Sequence, residues 1–224
     1  MRLILIGCEY VGTTTLAKGI EKWAFENMGA RFNDIHSHWK WPHIATNPVS
    51  ESDQVLMMQL SPEMKELTMR TNLEYHMHPL FYRMDDHVMI GHYIEEAIYG
   101  ELYLGYGGPG GIGDRTVTSR SYERTIMEYG PGTTLIHLKA TPEVIRSRMQ
   151  KDPHQRAILQ DKDVECVLDR FSHAYHDSVY YNLLEIDTSN ATPDEVLGEW
   201  IDKMDPFWID IDRLRLLTHR KSTK

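Results

Sequence analysis

The segment Gly7-Cys8-Glu9-Tyr10-Val11-Gly12-Thr13-Thr14-Thr15 decides the fold of this chain. The continuous apolar run before it, residues 2–7, predicts a strand buried in a parallel sheet. After it, apolar residues recur at helical spacing from Thr14 to Met28, and Gly29 is a suitable helix stop. The segment is therefore predicted to be a glycine-containing loop that joins a buried strand to a helix.

The spacing of this loop matches the phosphate-binding pattern G-x-x-x-x-G-K-[ST] between a strand and a helix. The backbone N–H groups of such a loop and the positive end of the helix dipole favour phosphate. The hydroxyl position that usually ligands magnesium is occupied by Thr14. We therefore predict that nucleotide phosphates bind Gly7, Val11, Gly12, Thr13, Thr14 and Thr15, with Mg²⁺ on Thr14. The alternative is a tight glycine turn that serves packing only.

One element of the pattern is missing, because Thr13 occupies the lysine position. That lysine normally reaches the β and γ phosphates of a nucleotide and neutralises their charge. Its absence removes a cation from the place where charge develops during phosphoryl transfer. The loop therefore gives a stronger indication of nucleotide binding than of phosphoryl transfer.

The rest of the chain repeats strand and helix about five times. This order predicts one α/β domain over residues 1–224, with the three-layer P-loop NTPase fold: a central parallel sheet of about five strands and helices on both faces. The expected strands beyond the first cover 31–35, 87–90, 134–139 and 183–187. The expected helices cover 52–83 with a break at Ser61-Pro62, 95–104, 115–129, 142–149, 164–175 and 192–204. The glycine-rich stretch 105–113 is either a mobile lid or a long connection, and the tail beyond Pro206 is left unassigned.

Composition limits the classes of function. The 224 residues carry a formal net charge of -9, which argues against duplex nucleic acid as the main partner, because such binding depends on many Lys and Arg contacts. No run approaches the roughly 20 apolar residues of a membrane helix, and the first apolar run is too short for a signal peptide. Two cysteines give no disulfide framework. We expect a cytoplasmic protein that binds small molecules and no membrane.

With these features the chain resembles the nucleoside and nucleotide kinases of the P-loop class, in the style of thymidylate kinases. The loop has an acidic residue, Glu9, at its third place, as that family often does. Residues 135–148 resemble the strand and helix that lead into the family's lid, here about 146–163. Asp169–Tyr175 and the C-terminal strand and helix also fit.

The resemblance implies ATP and Mg²⁺ as cofactors and allows a homodimer. It implies that Glu9 approaches the phosphoryl acceptor, as a general base or a substrate contact, although a solvated loop carboxylate is the alternative. Glu9 and Arg148 are therefore candidate catalytic residues. The resemblance also implies that the lid arginines Arg146, Arg148 and Arg156 contact ATP. A charged helix face is the alternative for these arginines.

The chain departs from the family at the end of the third strand, where the family has an acidic residue followed by arginine. Here the sequence reads Met89-Ile90-Gly91-His92-Tyr93, followed by Glu95-Glu96. His92 could replace the arginine or act as a base near neutral pH, or it could be a structural histidine. Glu95 and Glu96 could supply a base, hold magnesium or form a solvated first helical turn. An Asp114-Arg115 pair occurs only after the glycine-rich stretch.

Three hypotheses follow. The first is an ATP-dependent phosphotransferase that acts on a nucleoside, a nucleotide or a similar small acceptor. The second is a degenerate kinase fold that binds a nucleotide without turnover. The third and weakest is a metalloprotein that uses the paired histidines His36/His38 and His76/His78, with His43 nearby, because two histidines two residues apart share a face if they lie on a strand. The aromatic, histidine-rich segment 36–48 is also a candidate wall for the acceptor.

Overall fold

The computed structural model describes residues 1–32, 34–37, 50–82, 86–154 and 157–222. Its strands are β1 (Arg2–Ile6), β2 (Asp34–Ser37), β3 (His87–Ile90), β4 (Thr134–Lys139) and β5 (Asn182–Asp187). Its first six helices are α1 (Thr13–Met28), α2 (Glu51–Met58), α3 (Pro62–Tyr75), α4 (Pro79–Tyr82), α5 (His92–Tyr99) and α6 (Arg115–Tyr129). The remaining four are α7 (Pro142–Lys151), α8 (Val164–His176), α9 (Pro193–Met204) and α10 (Asp210–Ser222).

Within the described ranges, the five strands form one parallel sheet in the order β2-β3-β1-β4-β5. Helices cover both faces: α1, α9 and α10 pack together on one face, and α5, α6 and α8 pack together on the other. The central strand β1 is buried throughout, from Leu3 to Ile6. The predicted α/β class, the parallel sheet of about five strands and the three layers are confirmed.

The order of the strands places the loop of residues 7–12 at a crevice. The chain leaves β1 for β2 and β3 on one side and later continues to β4 and β5 on the other. At such a switch point the loops at the carboxyl ends of the strands diverge, and ligands of open parallel sheets bind there. No helix of the described residues has the length and apolar character needed to cross a membrane.

Several helix boundaries match their sequence signals. Gly29 ends α1 in the left-handed conformation, with φ 61°. Ser61 caps α3, which confirms the predicted break, and Thr192 with Glu195 forms a complete capping box on α9. The bounds of β2 differ from the prediction, since this strand lies at 34–37 instead of 31–35.

The helix after β3 also starts earlier than predicted, at His92 instead of Glu95. Gly91 and His92 both have positive φ, 78° and 47°, so the chain turns within two residues and the helix follows directly. Its end widens into a π-helical turn at Gly100–Leu104. The unassigned tail forms α10, which packs against α1.

The Asp114-Arg115 pair serves the fold. Asp114 caps α6 by accepting the Thr116 N–H at 2.8 Å. The buried Arg115 guanidinium donates two hydrogen bonds of 2.8 Å to Glu96 on α5 and one of 2.9 Å to Glu66 on α3. It also donates to the Gly113 carbonyl at 3.0 Å, which ties the end of the glycine-rich stretch to these helices.

We predict that Arg115→Ala lowers the free energy of unfolding by about 3–5 kcal/mol, since it leaves Glu96 as a buried carboxylate without its cation and removes one of the two arginines that pair with Glu66. Chemical denaturation measures this change. Arg124→Ala, at an exposed position of the same helix, is the control and should change stability by less than ~0.5 kcal/mol. Equal effects of the two substitutions would show that the buried ion pairs do not stabilise this region.

Candidate nucleotide-binding site

The loop after β1 turns tightly and packs against β4, and two of its positions require glycine. A Cβ at Gly7 would lie 2.5 Å from the Leu138 carbonyl oxygen of β4, so no side chain fits there. Gly12 has φ 104° and precedes the first residue of α1. Between them Tyr10 also has a positive φ, 69°, which is uncommon for a residue with a side chain. The predicted phosphate loop thus has a sharply folded backbone.

The N-terminus of α1 is open to a ligand. No side chain caps it, and no acidic residue lies in its first turn. Thr14 and Thr15 are exposed and Thr13 is partly exposed, so their hydroxyl groups are accessible there. Since the first N–H groups of a helix lack intrahelical partners, this end can bind an anion. The structure brings together Gly7, Val11, Gly12, Thr13, Thr14 and Thr15 as the sequence predicts.

Arg148 on α7 holds the loop through side-chain hydrogen bonds. Its Nη1 donates to the carbonyl oxygens of Tyr10 and Val11 at 3.1 and 3.3 Å. The same guanidinium donates to both oxygens of Thr188, with Nη2 2.6 Å from the carbonyl. Partial burial lowers the pKa of Arg148 from its ordinary value. Of the lysines and arginines in the described ranges, Arg148 is the one that hydrogen-bonds the loop.

Thr188, directly after β5, was missed by the sequence analysis. Its hydroxyl donates to the Val11 carbonyl at 2.9 Å, and its N–H donates to Lys139 at 2.8 Å. The residue thereby joins the ends of β4 and β5 to the loop. The only available signal was its place after the last predicted strand, at the edge of the sheet where ligands bind.

A cavity of about 290 Å³ lies beside the N-terminus of α1. Its walls come from the loop, from α7 and from the segment between β5 and α9. They include Tyr10, Gly12, Thr15, Arg148, Thr188 and Pro193. The cavity is close to the lower end of the volumes that small-molecule sites have.

The predicted lid segment lies across the loop. The Glu9 carboxylate accepts the N–H groups of Ile158 and Leu159 at 3.1 and 3.0 Å. The Tyr10 ring stacks on His154, with ring centroids 4.0 Å apart, and its hydroxyl accepts the His154 N–H at 3.0 Å. Glu9 thus fastens the lid, and its predicted contact with an acceptor stays a prediction.

The other two lid arginines are placed differently. Arg146 forms an ion pair with Glu165 on α8, with N–O distances of 2.8 and 2.6 Å, and it also contacts Asp161. The hydrogen bonds to Glu165 raise the pKa of Arg146. A nucleotide contact would require Arg146 to leave this ion pair. Arg156 lies outside the described residues.

His92 follows β3 at the same edge of the sheet but is completely buried. Its ring lies edge-on to that of Tyr93, with centroids 5.4 Å apart. A ring in this position reaches a substrate only if the surrounding residues move, so the catalytic role of His92 stays a prediction. A neighbour on the same helix, Tyr99, was missed by sequence reasoning. Its hydroxyl accepts a hydrogen bond from the Glu9 N–H at 3.0 Å and thereby supports the loop.

Cys8 and Tyr99 are not reactive groups of this site. Burial is the largest cause that raises the pKa of the Cys8 thiol, and it also raises the pKa of Tyr99 well above its ordinary value. Both groups therefore stay protonated, and their buried side chains pack in the core beside the loop.

The histidine pairs give no metal site in the described ranges. His76 ends α3, with Nδ1 2.9 Å from the Asn72 carbonyl oxygen, and His78 lies in the turn before α4. His76 and His78 therefore lie in the turn between α3 and α4, where the shared face that a strand would give them is absent. No cluster of three or more His, Cys, Asp or Glu suited to a metal ion occurs among the described residues. His38, His43 and most of the predicted acceptor wall lie outside them.

Comparison with known proteins gives matches at the level of structure. No family model and no curated protein sequence matches the chain. The chain is similar to a deoxyadenosine kinase from M. mycoides solved with bound dATP (TM-score 0.57, 15% identity, covering 92% of this chain and all of that one). It is also similar to the YorR protein from Bacillus subtilis in complex with phosphorylated GDP (TM-score 0.55, 13% identity, covering 92% and 99%). The chain therefore has a P-loop fold of the kind found in nucleoside kinases.

Proposed function

We propose that this protein binds ATP with Mg²⁺ and transfers the γ-phosphoryl group to a nucleoside, a nucleotide or a similar small acceptor. The observation that carries the proposal is the uncapped N-terminus of α1, which opens beside the cavity walled by Arg148. The names of the two similar structures support the substrate class, since one is a deoxyadenosine kinase and the other holds a guanine nucleotide.

The donor nucleotide has a natural placement. Its phosphates would bind the N–H groups at the start of α1, with Mg²⁺ on the exposed Thr14 hydroxyl. Its base would enter the cavity, which Arg148 lines at the side of the loop. Pro193, at the start of α9, would line the cavity as well. The thymidylate-kinase style and the use of Mg²⁺ stay predictions.

The charge that Thr13 does not provide would come from the lid. Catalysis of phosphoryl transfer consists mainly of positioning and charge stabilisation, so another cation can take the place of the loop lysine. Arg148 already lies at the loop, and Arg156 is the further lid arginine that the sequence predicts for this role. The lid of this protein would therefore contribute positive charge to the nucleotide site and also shield that site from solvent.

A second candidate function is nucleotide binding without turnover. It is favoured by Thr13 at the lysine position and by Gly91-His92 at the end of β3. Both candidates use the same nucleotide site and differ in whether an acceptor is phosphorylated. A homodimer, implied by the family resemblance, stays a prediction.

The first test separates these candidates. We predict that ATP with Mg²⁺ at about 100 times its Kd raises the melting temperature by roughly 5–10 °C. The melting temperature is measured with ATP, ADP and GTP, with and without Mg²⁺, and phosphoryl transfer is then assayed across nucleosides and nucleotides. Binding with transfer supports the phosphotransferase, and binding without transfer supports the second candidate. If no nucleotide raises the melting temperature, both are wrong.

The second test addresses the loop. We predict that Gly12→Ala weakens ATP binding at least tenfold, because φ 104° is unfavourable for alanine and a shifted backbone misdirects the N–H groups of α1. Gly198→Ala is the matched control, since this helical glycine has open space around a Cβ and alanine favours a helix. Isothermal titration measures both Kd values. A Gly12→Ala protein that binds ATP like the control would place the nucleotide elsewhere.

A further inference from the structure

The side chain of Tyr10 joins the loop to the predicted lid. Its ring stacks on the His154 ring, with the centroids 4.0 Å apart and an angle of 18° between the planes. Its hydroxyl accepts the backbone N–H of the same histidine at 3.0 Å. One side chain of the loop therefore holds both the ring and the main chain of His154, which lies just beyond the end of α7.

The backbone of Tyr10 has a conformation that is unfavourable for a residue with a side chain. Its φ is 69°, and glycine is the residue that adopts positive φ without a steric cost. The phosphate-loop pattern sets no residue type at this position between its two glycines. Backbone strain beside a ligand site persists only where surrounding contacts stabilise it. For Tyr10 the contacts with His154 are such contacts.

The main chain of Tyr10 is held by the same part of the protein. Its carbonyl oxygen accepts the Arg148 guanidinium at 3.1 Å, and Arg148 lies on α7, the helix that leads into the lid. The next peptide group is held within the loop, because the Val11 N–H donates to the Cys8 carbonyl at 3.0 Å. The ring and the carbonyl group of Tyr10 are thus both bound by residues 148–154, so the loop and the start of the lid fix each other's position.

Glu9 holds a different part of the lid. One oxygen of its carboxylate accepts the N–H groups of Ile158 and Leu159 at 3.1 and 3.0 Å. The other oxygen lies 3.9 Å from Nδ1 of His154, beyond hydrogen-bond distance. Of these two loop residues, Tyr10 is therefore the one that hydrogen-bonds His154. Because the two side chains act on separate residues, a substitution of Tyr10 removes one set of lid contacts and leaves the other.

Tyr10 also borders the nucleotide cavity. It lines the cavity beside the N-terminus of α1, together with Thr15 and Arg148. A nucleotide in this cavity would lie against the residue that fastens the lid. Closure of a lid excludes water from the reacting groups and so prevents their hydrolysis. The position of the lid relative to the phosphates would therefore depend on this one side chain.

We propose that Tyr10 is a positioning residue that fastens the lid over the nucleotide, so that the γ-phosphoryl group passes to the acceptor instead of to water. The inference rests on the proposed phosphotransferase function. In the side reaction, a water oxygen forms a bond to the γ-phosphorus while the bond from that phosphorus to the β,γ-bridging oxygen breaks. ADP leaves with the electron pair of the broken bond, inorganic phosphate is the other product, and a water proton passes to solvent. Tyr10 acts through His154 and takes no part in making or breaking these bonds.

The test compares Tyr10→Asn with Tyr181→Asn in the full chain. Asparagine tolerates positive φ, so Tyr10→Asn removes the ring and the hydroxyl while the backbone can keep its conformation. Tyr181 is 82% exposed between α8 and β5 and is the matched control. With ATP, Mg²⁺ and a panel of nucleosides and nucleotides, Tyr10→Asn should lower the ratio of phosphorylated acceptor to ADP roughly fivefold or more, because water reaches the γ-phosphoryl group. The control should keep the ratio of wild type.

Hydrogen exchange of the lid is a second readout, and it needs neither nucleotide nor turnover. The His154 amide should exchange roughly fivefold or more faster in Tyr10→Asn than in wild type, because it loses its acceptor. The amides of Ile158 and Leu159 should exchange faster as well, since one of the two sets of contacts that hold the lid is gone. Tyr10→Phe keeps the ring and loses the acceptor, so its effects should have the same direction and be smaller.

A Tyr10→Asn protein with the product ratio of wild type overturns the proposal, and so does one whose lid amides exchange at the wild-type rate. Equal losses of transfer and hydrolysis, which leave the ratio unchanged, would show that Tyr10 supports only the loop. If Tyr10→Asn does not fold, Tyr10→Phe decides, and wild-type values for it overturn the proposal. A wild-type protein that binds ATP but phosphorylates no acceptor overturns the phosphotransferase function itself, which is seen before any variant is compared.

Discussion

The close approach between Gly7 and β4 is the contact on which the site depends. The loop passes so near the Leu138 carbonyl that only hydrogen fits at Cα, and the chain must then turn within five residues to begin α1. Arg148 and Thr188 complete this arrangement by binding the carbonyl oxygens of Tyr10 and Val11. Because Arg148 and Thr188 hold these carbonyl groups, the N–H groups at the start of α1 remain directed toward solvent, where they can stabilise an anion.

This anchoring also bears on the missing lysine. A loop lysine both neutralises phosphate charge and is part of the loop, whereas Arg148 reaches the loop from α7, the helix that leads into the lid. The lid is fastened in turn by Glu9 and Tyr10. Loop, lid and cation are therefore mechanically connected, and we infer that any movement of the lid on nucleotide binding changes the contacts of Arg148 as well. The positive charge beside the loop is thus supplied by the helix that leads into the lid.

The sequence predicted the frame of the fold well and its turns poorly. Buried strands such as 87–90 and 134–139 are rich in apolar residues, and caps such as Thr192 and Ser61 act locally, so both are visible in the pattern of residues. The start of α5 was misplaced because two successive residues with positive φ, Gly91 and His92, allow a helix to begin at once. The last helix, α10, was not assigned, since its stability comes from packing on α1 instead of from a clear local pattern.

The loop of the candidate site could be read from spacing, but its partners could not. Thr188 and Tyr99 are distant in sequence and bond backbone atoms of the loop, so no motif marks them. The role of Glu95 was left open by the sequence, and the structure places its carboxylate in the space that a side chain at Gly91 would fill.

A crystal structure with a non-hydrolysable ATP analogue and Mg²⁺ tests the central claim most directly. The account predicts phosphates on the N–H groups at the start of α1, Mg²⁺ on the Thr14 hydroxyl and the base in the cavity beside Arg148. A nucleotide bound elsewhere, with the loop unoccupied and Arg148 unchanged, would contradict it.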